Sequence, residues 1–517
     1  MSDLILALSR LGGPLASHVL LSASAIALGT LIALPLAIWA SRAPHIARLT
    51  LGFASLIQTI PALALLALFF PLLLALRGLF GQGLPTLGFL PALLALTLYA
   101  LLPILRNAVT ARANMDPGIL EAADGMGMTA AQKLRLVEAP LAAPYIMAGI
   151  RTAAVWTIGA ATLATTIGQP SLGDPIFAGL QTQNWVLVLA GCIASAALAL
   201  IADTLLGLVE RGFAIRKPLL VWIGLSLALA GIAVAGWSSR DTGERDTIVV
   251  GAKNFSEQFI LARLIGQRLE QAGYNVEYRE GLGSAVIHTA LTSGAIDVYV
   301  DYAGTLWANQ MERKETPARS RMIAEIAKWE KDSTGTRMLG ALGFENAYIF
   351  AMRRERAQEL GIRSLTDLAS LSSRLNVGGD VEFFERPEWH AVRDAYGLNF
   401  AQIRNYTATF MYNALQSGQS DVIAAFSSDG RIAADHLTVL KDPKGALPAY
   451  DALLLITPQR VQEKRFVNAL RPLVGAIPVS RMREANYAVD RKDNKLSPRE
   501  AARQLAKDIE TGNSTGS

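Results

Sequence analysis

The sequence predicts a chain of two unlike parts: an N-terminal all-α polytopic membrane domain of about six transmembrane helices, then a C-terminal α/β domain of two lobes. Three observations predict it. Six apolar stretches lie in the first 240 residues, each near the roughly 20 residues that a bilayer core demands. Charge is divided unequally, with 13 Lys+Arg and 8 Asp+Glu in residues 1–240 against 35 of each in 241–517. Beyond residue 247, short β-rich runs alternate with helical patterns, and one such unit recurs 124 residues later.

The apolar stretches run 17–40, 51–75, 84–105, 141–166, 186–207 and 218–237. Pro61 and Pro103 fall inside two of them, which neighbouring helices tolerate. Buried soluble helices would need a polar shell that this half lacks. The first stretch is too long, and too weakly basic at its start, for a cleaved signal peptide. An overall charged fraction of 18% is low for a soluble protein, and with 51% hydrophobic residues it excludes a disordered chain. One cysteine, Cys192, excludes a disulfide scaffold, and its small neighbours favour packing over redox chemistry. The five histidines show no metal-ligand spacing. The net charge of +5 sits wholly in the membrane half, so it does not signal nucleic acid. Nine basic residues, Arg42, Arg48, Arg106, Arg112, Lys133, Arg135, Arg211, Arg216 and Lys217, occupy three loops on one side. The positive-inside rule makes that side cytoplasmic. The chain is then a multi-pass protein of the cytoplasmic (inner) membrane, with everything after Trp237 extracytoplasmic.

The cytoplasmic segment 106–140 has nearly cancelling charges and is rich in helix-forming Ala and Met. Gly125 and Gly127 permit a tight turn between two short helices. This is either a docking knob for a partner or a plain connecting loop. Residues 121–151, EAADGMGMTAAQKLRLVEAPLAAPYIMAGIR, resemble the EAA coupling motif of ABC-transporter permeases. The resemblance extends through 57–73, 98–109 and 166–180, covers nearly all of 15–215, and points to the glycine betaine/carnitine/choline uptake systems. It implies a permease homodimer whose EAA helices seat on a cytoplasmic ABC ATPase dimer, with Glu121, Ala123 and Gly127 as coupling positions. The motif's final Leu-Pro is Ala139-Pro140 here, and the Gly-rich loop after span four is Gln169-Pro170-Ser171-Leu172-Gly173. The chain holds no GxxxxGK[ST] phosphate loop. It is read as a transport subunit rather than an enzyme, with no cofactor of its own; ATP is used by the partner.

The domain plan is a permease domain at 1–240, a linker at 241–246, a binding domain at 247–510 and a disordered tail at 511–517. Strands are expected at 247–252, 275–280 and 297–302, with helices from Ser256 and Ser284 between them. The pattern returns with a strand at 375–379, a helix near 388–395, and a helix then strand over 410–426. Repeated βαβ units imply two parallel-sheet lobes with a cleft at the strand ends, 301–305 and 426–430. Strands near 346–352 and 451–456 would be the crossovers and hinge. The helix 319–331 is charged and reads as solvent-facing, and 483–510 as closing helices with an N-cap at Ser497-Pro498 and Glu500.

Aromatic residues gather at these ends: Tyr302, Tyr348, Phe383, Phe384, Trp389, Tyr406 and Phe426. A methylated ammonium has no N–H to donate, and its specific attraction is to aromatic faces. The rings are either such a cage or core. Polar Gln258, Ser284, Thr305 and Asn346 could hold a carboxylate or hydroxyl. Segments 252–270, 283–305, 342–355 and 425–432 resemble the binding proteins of the same uptake systems, which have a periplasmic-binding-protein fold. The resemblance implies an aromatic cage for a quaternary ammonium compound such as glycine betaine, choline or carnitine. It matches Gln258, Ser284, Tyr302, Thr305 and Tyr406 to site positions, while Phe426 replaces a tyrosine and Asp301 a glutamate. Two other readings are weighed: import of another small zwitterion or amino-acid derivative, with Asp301 or Asp429 facing its ammonium, and a membrane-anchored ligand sensor.

Overall fold

The computed structural model describes residues 2–40, 43–81, 84–182, 184–238, 247–313, 315, 317–407, 410–491 and 493–514. Its contacts divide it into two compact units, Met1–Gly179 with Trp185–Gly243 and Leu180–Asn184 with Glu244–Ser517. The linker expected at 241–246 lies outside the described residues, as do 515–517.

Among the described residues of the first unit, six helical runs are long and apolar enough to cross a membrane: Gly12–Ala40, Ala62–Phe80, Phe89–Ala113, Ala130–Ile167, Trp185–Ala214 and Pro218–Ser238. The second differs from its expected start at 51. A separate helix, Pro44–Thr59, precedes it, and the chain breaks at Ile60, which is extended at φ −76°, ψ 126°. Pro61 disfavours helix in the residue before it, so a continuous apolar run becomes two helices. Pro103 lies within the third span and leaves the carbonyl of Tyr99 without its helical donor. Gln58 Nε2 donates to that carbonyl at 3.3 Å.

Arg151, Asp203 and Glu210 lie inside spans, where a charge needs a partner. Arg151 donates to Asp203 at 2.7 Å and to Glu210 at 3.2 Å, joining spans four and five. His18 anchors the loop after span four: Leu172 N–H donates to its Nδ1 at 3.2 Å, so Nε2–H donates to Ile158 O at 3.0 Å. Cys192 is exposed on its helix rather than packed among the small residues near it.

The segment between spans three and four forms helix Pro117–Gly125 and a turn, and the span-four run opens on the helical stretch Ala130–Lys133. Asp116 caps the first by accepting from Gly118 N, and Thr129 with Gln132 forms a capping box on the second. Gly127, at φ +73°, makes the turn, while Gly125 stays helical.

The second unit holds ten strands among its described residues: β1 Thr247–Lys253, β2 Asn275–Leu282, β3 Val298–Tyr302, β4 Arg337–Glu345, β5 Tyr348–Arg353, β6 Asn376–Gly379, β7 Gln402–Asn405, β8 Val422–Phe426, β9 Leu437–Val439 and β10 Asp451–Ile456. They form two sheets, β2-β1-β3-β10-β4 and β7-β6-β8-β5-β9. The sheets are mixed rather than parallel: β10 runs antiparallel to β3 and β4, and β5 antiparallel to β8 and β9. The strands expected as crossovers are therefore sheet members, each entering its lobe against the direction of the parallel strands. The chain changes lobes just before β5, at Asn346 and Ala347, and between β9 and β10. The 124-residue repeat places Tyr302 at the end of β3 and Phe426 at the end of β8.

The helix expected to be solvent-facing, Arg319–Trp329, buries Met322 and Ile326. The closing helices are Val479–Asp490 and Pro498–Ser514; the latter continues through 511–514, part of the segment expected to be disordered. At its start Ser497 Oγ accepts from Glu500 N at 3.3 Å, and Glu500 accepts from Ser497 N at 2.8 Å. This helix packs on Ser256–Gln271 through buried Ala501, Ala502 and Leu505. Ser497→Ala removes the cap and is expected to cost about 1 kcal/mol, read as a lower midpoint for the second unit's unfolding.

Candidate ligand-binding site

A cavity of about 300 Å³ lies between the two sheets. The first lobe lines it with Lys253, Asn254, Phe255, Ser284, Tyr302, Thr305 and Tyr450, the crossover with Asn346, and the second lobe with Tyr348, Asp380, Val381, Glu382, Arg386, Tyr406, Thr407 and Phe426. Seven of the eight expected positions thus line this one cavity: Ser284, Tyr302, Thr305, Asn346, Tyr348, Tyr406 and Phe426. Gln258 does not. It is buried beneath the wall, where its Nε2 donates to Tyr302 Oη and Val300 O, both at 3.0 Å. Asp301 is also turned away, paired with Lys253 and accepting from Tyr299 Oη at 2.7 Å. Asp429 pairs with Arg431 in a separate small pocket. Of the other expected rings, Phe383 and Trp389 are core.

The rings form a connected box. Phe255 stacks 6.2 Å from Tyr302 and 6.3 Å from Phe426, and Tyr348 lies 5.0 Å from Phe426 and 5.5 Å, edge-on, from Tyr450. Gly304 admits the Tyr450 ring, since a Cβ there would come within 2.5 Å of it. Burial pushes the hydroxyls of Tyr302, Tyr348 and Tyr450 well above the usual tyrosine range, so these rings stay neutral.

Two buried cations share the wall. Lys253 is 3% exposed, with its Nζ 5.5 Å from the Tyr302 ring centre. Arg386 is 5% exposed; it pairs with Glu382 and donates to Thr305 Oγ1 at 3.2 Å and Tyr450 Oη at 3.3 Å. Its Nε has no hydrogen-bond partner among the described residues. Asp380 caps the helix Val381–Glu385 by accepting from Phe383 N, and burial raises its carboxyl above the usual range.

On the cytoplasmic side, Glu121 and Gly127 are exposed, whereas Ala123 is 1% exposed. The Ala123 side chain is thus covered by neighbours in its own chain.

Comparison with known proteins assigns both units. A family model described as the substrate-binding domain of ABC-type glycine betaine transport systems matches residues 246–508. It covers half of the chain. The chain belongs to this family. A second model, for the inner-membrane component of binding-protein-dependent transport systems, matches residues 25–215. The ergothioneine transport permease/ergothioneine binding protein of Helicobacter pylori is 31% identical over 460 residues, which cover 85% of this chain and 80% of that protein. The choline transport system permease of Bacillus subtilis is 42% identical over 194 residues, covering 38% of this chain and 84% of the permease. A crystal structure of a glycine betaine/carnitine/choline ABC transporter matches at 26% identity and a TM-score of 0.45, covering 51% of this chain and 98% of that one. This transporter is thus a permease fused to its substrate-binding domain, a multi-pass inner-membrane protein whose binding domain faces the periplasm. It is a transport subunit of an ABC importer in the quaternary-ammonium osmoprotectant family.

Proposed function

We propose that this transporter captures a betaine, a molecule carrying a trimethylammonium at one end and a carboxylate at the other. One observation carries the reading: a box of aromatic rings and two buried cations line the same cavity. Phe255, Tyr302, Tyr348, Phe426 and Tyr450, with Tyr406 at the edge, offer faces to the methylated ammonium. Arg386 and Lys253 meet the carboxylate, with Ser284 and Thr305 as hydroxyl donors. At about 300 Å³ the cavity is at the small end of ligand sites, which fits a compact zwitterion. The relatives' names span ergothioneine, itself a trimethylated betaine, and choline, which lacks the carboxylate.

In this reading the two lobes close on the ligand and deliver it to a permease dimer. ATP binding by a cytoplasmic ATPase pair is relayed through the exposed surface of 106–140, where Glu121 and Gly127 meet the ATPase. The test is calorimetric titration of the full chain in nanodiscs with glycine betaine, carnitine, ergothioneine and choline. A carboxylate-bearing compound should bind at least roughly tenfold tighter than choline, as expected for charge-assisted hydrogen bonds. Asp380 supports one second reading, a small zwitterion with an N–H-bearing ammonium facing its carboxyl. Binding of a primary amino acid, with none of the four compounds bound, would favour that reading and sink the betaine one.

A further inference from the structure

We propose that Glu257 is a positioning residue for ligand capture: its buried carboxylate holds the Tyr302 hydroxyl in the cavity wall and ties the second lobe to the first. The inference rests on the ligand cavity proposed above.

Glu257 opens the helix Ser256–Gln271 and is 3% exposed. An acid in a first helical turn is ordinarily a solvated partner of the helix dipole. This one has been withdrawn from water, and burial raises its carboxyl above the usual range. The groups that meet it are hydrogen-bond donors from three separate segments. Tyr302 Oη, at the end of β3, donates to Oε1 at 2.6 Å. Asn346 Nδ2, at the crossover, donates to the same oxygen at 3.1 Å. Asn486 Nδ2, on the helix Val479–Asp490, donates to Oε2 at 2.8 Å.

Two of these donors lead on toward the second lobe. The Asn486 amide also donates to Ser428 O at 3.0 Å, so one side chain joins Glu257 to the second lobe. Asn346 joins it to the segment where the chain changes lobes, and itself lines the cavity. Beside them Ser256 donates to Asp490 at 2.6 Å, and Arg431 of the second lobe faces Asp490 at 3.7 Å and Asp429 at 2.5 Å. A small pocket of about 30 Å³ runs along this seam. The cavity wall and the seam between lobes therefore meet at a single carboxylate. A neutral amide there cannot accept from every donor, because its NH₂ would face N–H or O–H groups.

The test compares wild type, Glu257→Gln, Tyr302→Phe, the double variant and Asn486→Asp, each as the full chain in nanodiscs. Glycine betaine, carnitine and ergothioneine are titrated, and on- and off-rates are followed by intrinsic fluorescence. Glu257→Gln should raise the off-rate roughly tenfold, the effect of orphaning buried donors, with little change in on-rate. Tyr302→Phe should cost less in the Glu257→Gln background than alone, as coupled groups do. Asn486→Asp, which lies off the cavity wall and sets a second carboxylate against Glu257, should reproduce the off-rate increase, and it keeps the test open should Glu257→Gln not fold. Unchanged off-rates in both variants, or full additivity with Tyr302→Phe, would overturn the proposal. Failure of the wild type to bind any of the three compounds would instead count against the betaine reading.

Discussion

Arg386→Met is expected to lower affinity for glycine betaine, carnitine and ergothioneine by two to three orders of magnitude, and to spare choline by comparison. The argument starts from burial. The Arg386 side chain is 6% exposed, and its neighbour Glu388 is 5% exposed at 3.9 Å. Removing one partner of a buried pair costs about 3–5 kcal/mol, largely because the other charge is stranded. Glu382, its closer partner, is 47% exposed and can turn to water, so that half of the cost is small. Part of the loss will therefore appear as a lower melting temperature. The loss of affinity is separate from it and falls on the ligand, since Arg386 is one of the two cations that line the cavity. Choline has no carboxylate to lose and should weaken by less than roughly tenfold, the range of a single neutral hydrogen bond. Arg386→Lys separates the two effects. It keeps the charge beside Glu388 but loses the fork, so stability should recover while betaine affinity stays roughly tenfold low. Calorimetry with the four compounds checks this. Equal losses for choline and glycine betaine would show that Arg386 only supports the fold.

What was legible in the sequence follows from which physical signals are local. Strand alternation and the 124-residue repeat located Tyr302 and Phe426, because a repeated βαβ unit carries its strand end with it. Six spans were legible from length and apolarity. Strand direction was not, because period-2 patterning is the same for a strand run either way; hence the antiparallel β5 and β10. The break at Pro61 was hidden by apolar residues on both sides, although the rule for residues before proline would have marked Ile60. Of the wall residues that were missed, Lys253 and Asp380 among them, three show separate reasons. Phe255 lies in a turn beside a helix start, Tyr450 follows a long connection into β10, and Arg386 lies in a charged run, FFERPE, that reads as surface. Arg386 is buried only because Thr305 and Tyr450 arrive from the other lobe, more than 60 residues away in sequence. Gln258 was misplaced by a helical turn: it shares the chain neighbourhood of the wall but points beneath it, onto Tyr302.

Gly127→Val is expected to reduce uptake at least roughly tenfold while ligand binding by the same protein is unchanged. Gly127 sits at φ +73° in the turn between Pro117–Gly125 and Ala130–Lys133. No atom lies within 4 Å of where its Cβ would be, so the substitution meets no steric neighbour. The cost is conformational. A β-branched residue in the left-handed region is disfavoured by about 1–2 kcal/mol, and a free turn relieves it by swinging one short helix relative to the other. That motion would displace the exposed surface of Glu121 and Met126 that we propose meets the ATPase. Buried Ala123 would hold the first helix to the rest of the segment, so the displacement would fall on Ala130–Lys133 and on the span-four run that it opens. Gly127→Asn is the control, because Asn tolerates the left-handed region and should keep most of the uptake. Glu121→Lys should lose uptake by a different route, charge reversal at an exposed contact, again with binding intact. The measurement pairs labelled glycine betaine uptake, in cells making the chain with its ATPase, with titration of the purified protein. Wild-type uptake by Gly127→Val would sink the coupling role, and a parallel fall in binding would place its effect on folding instead.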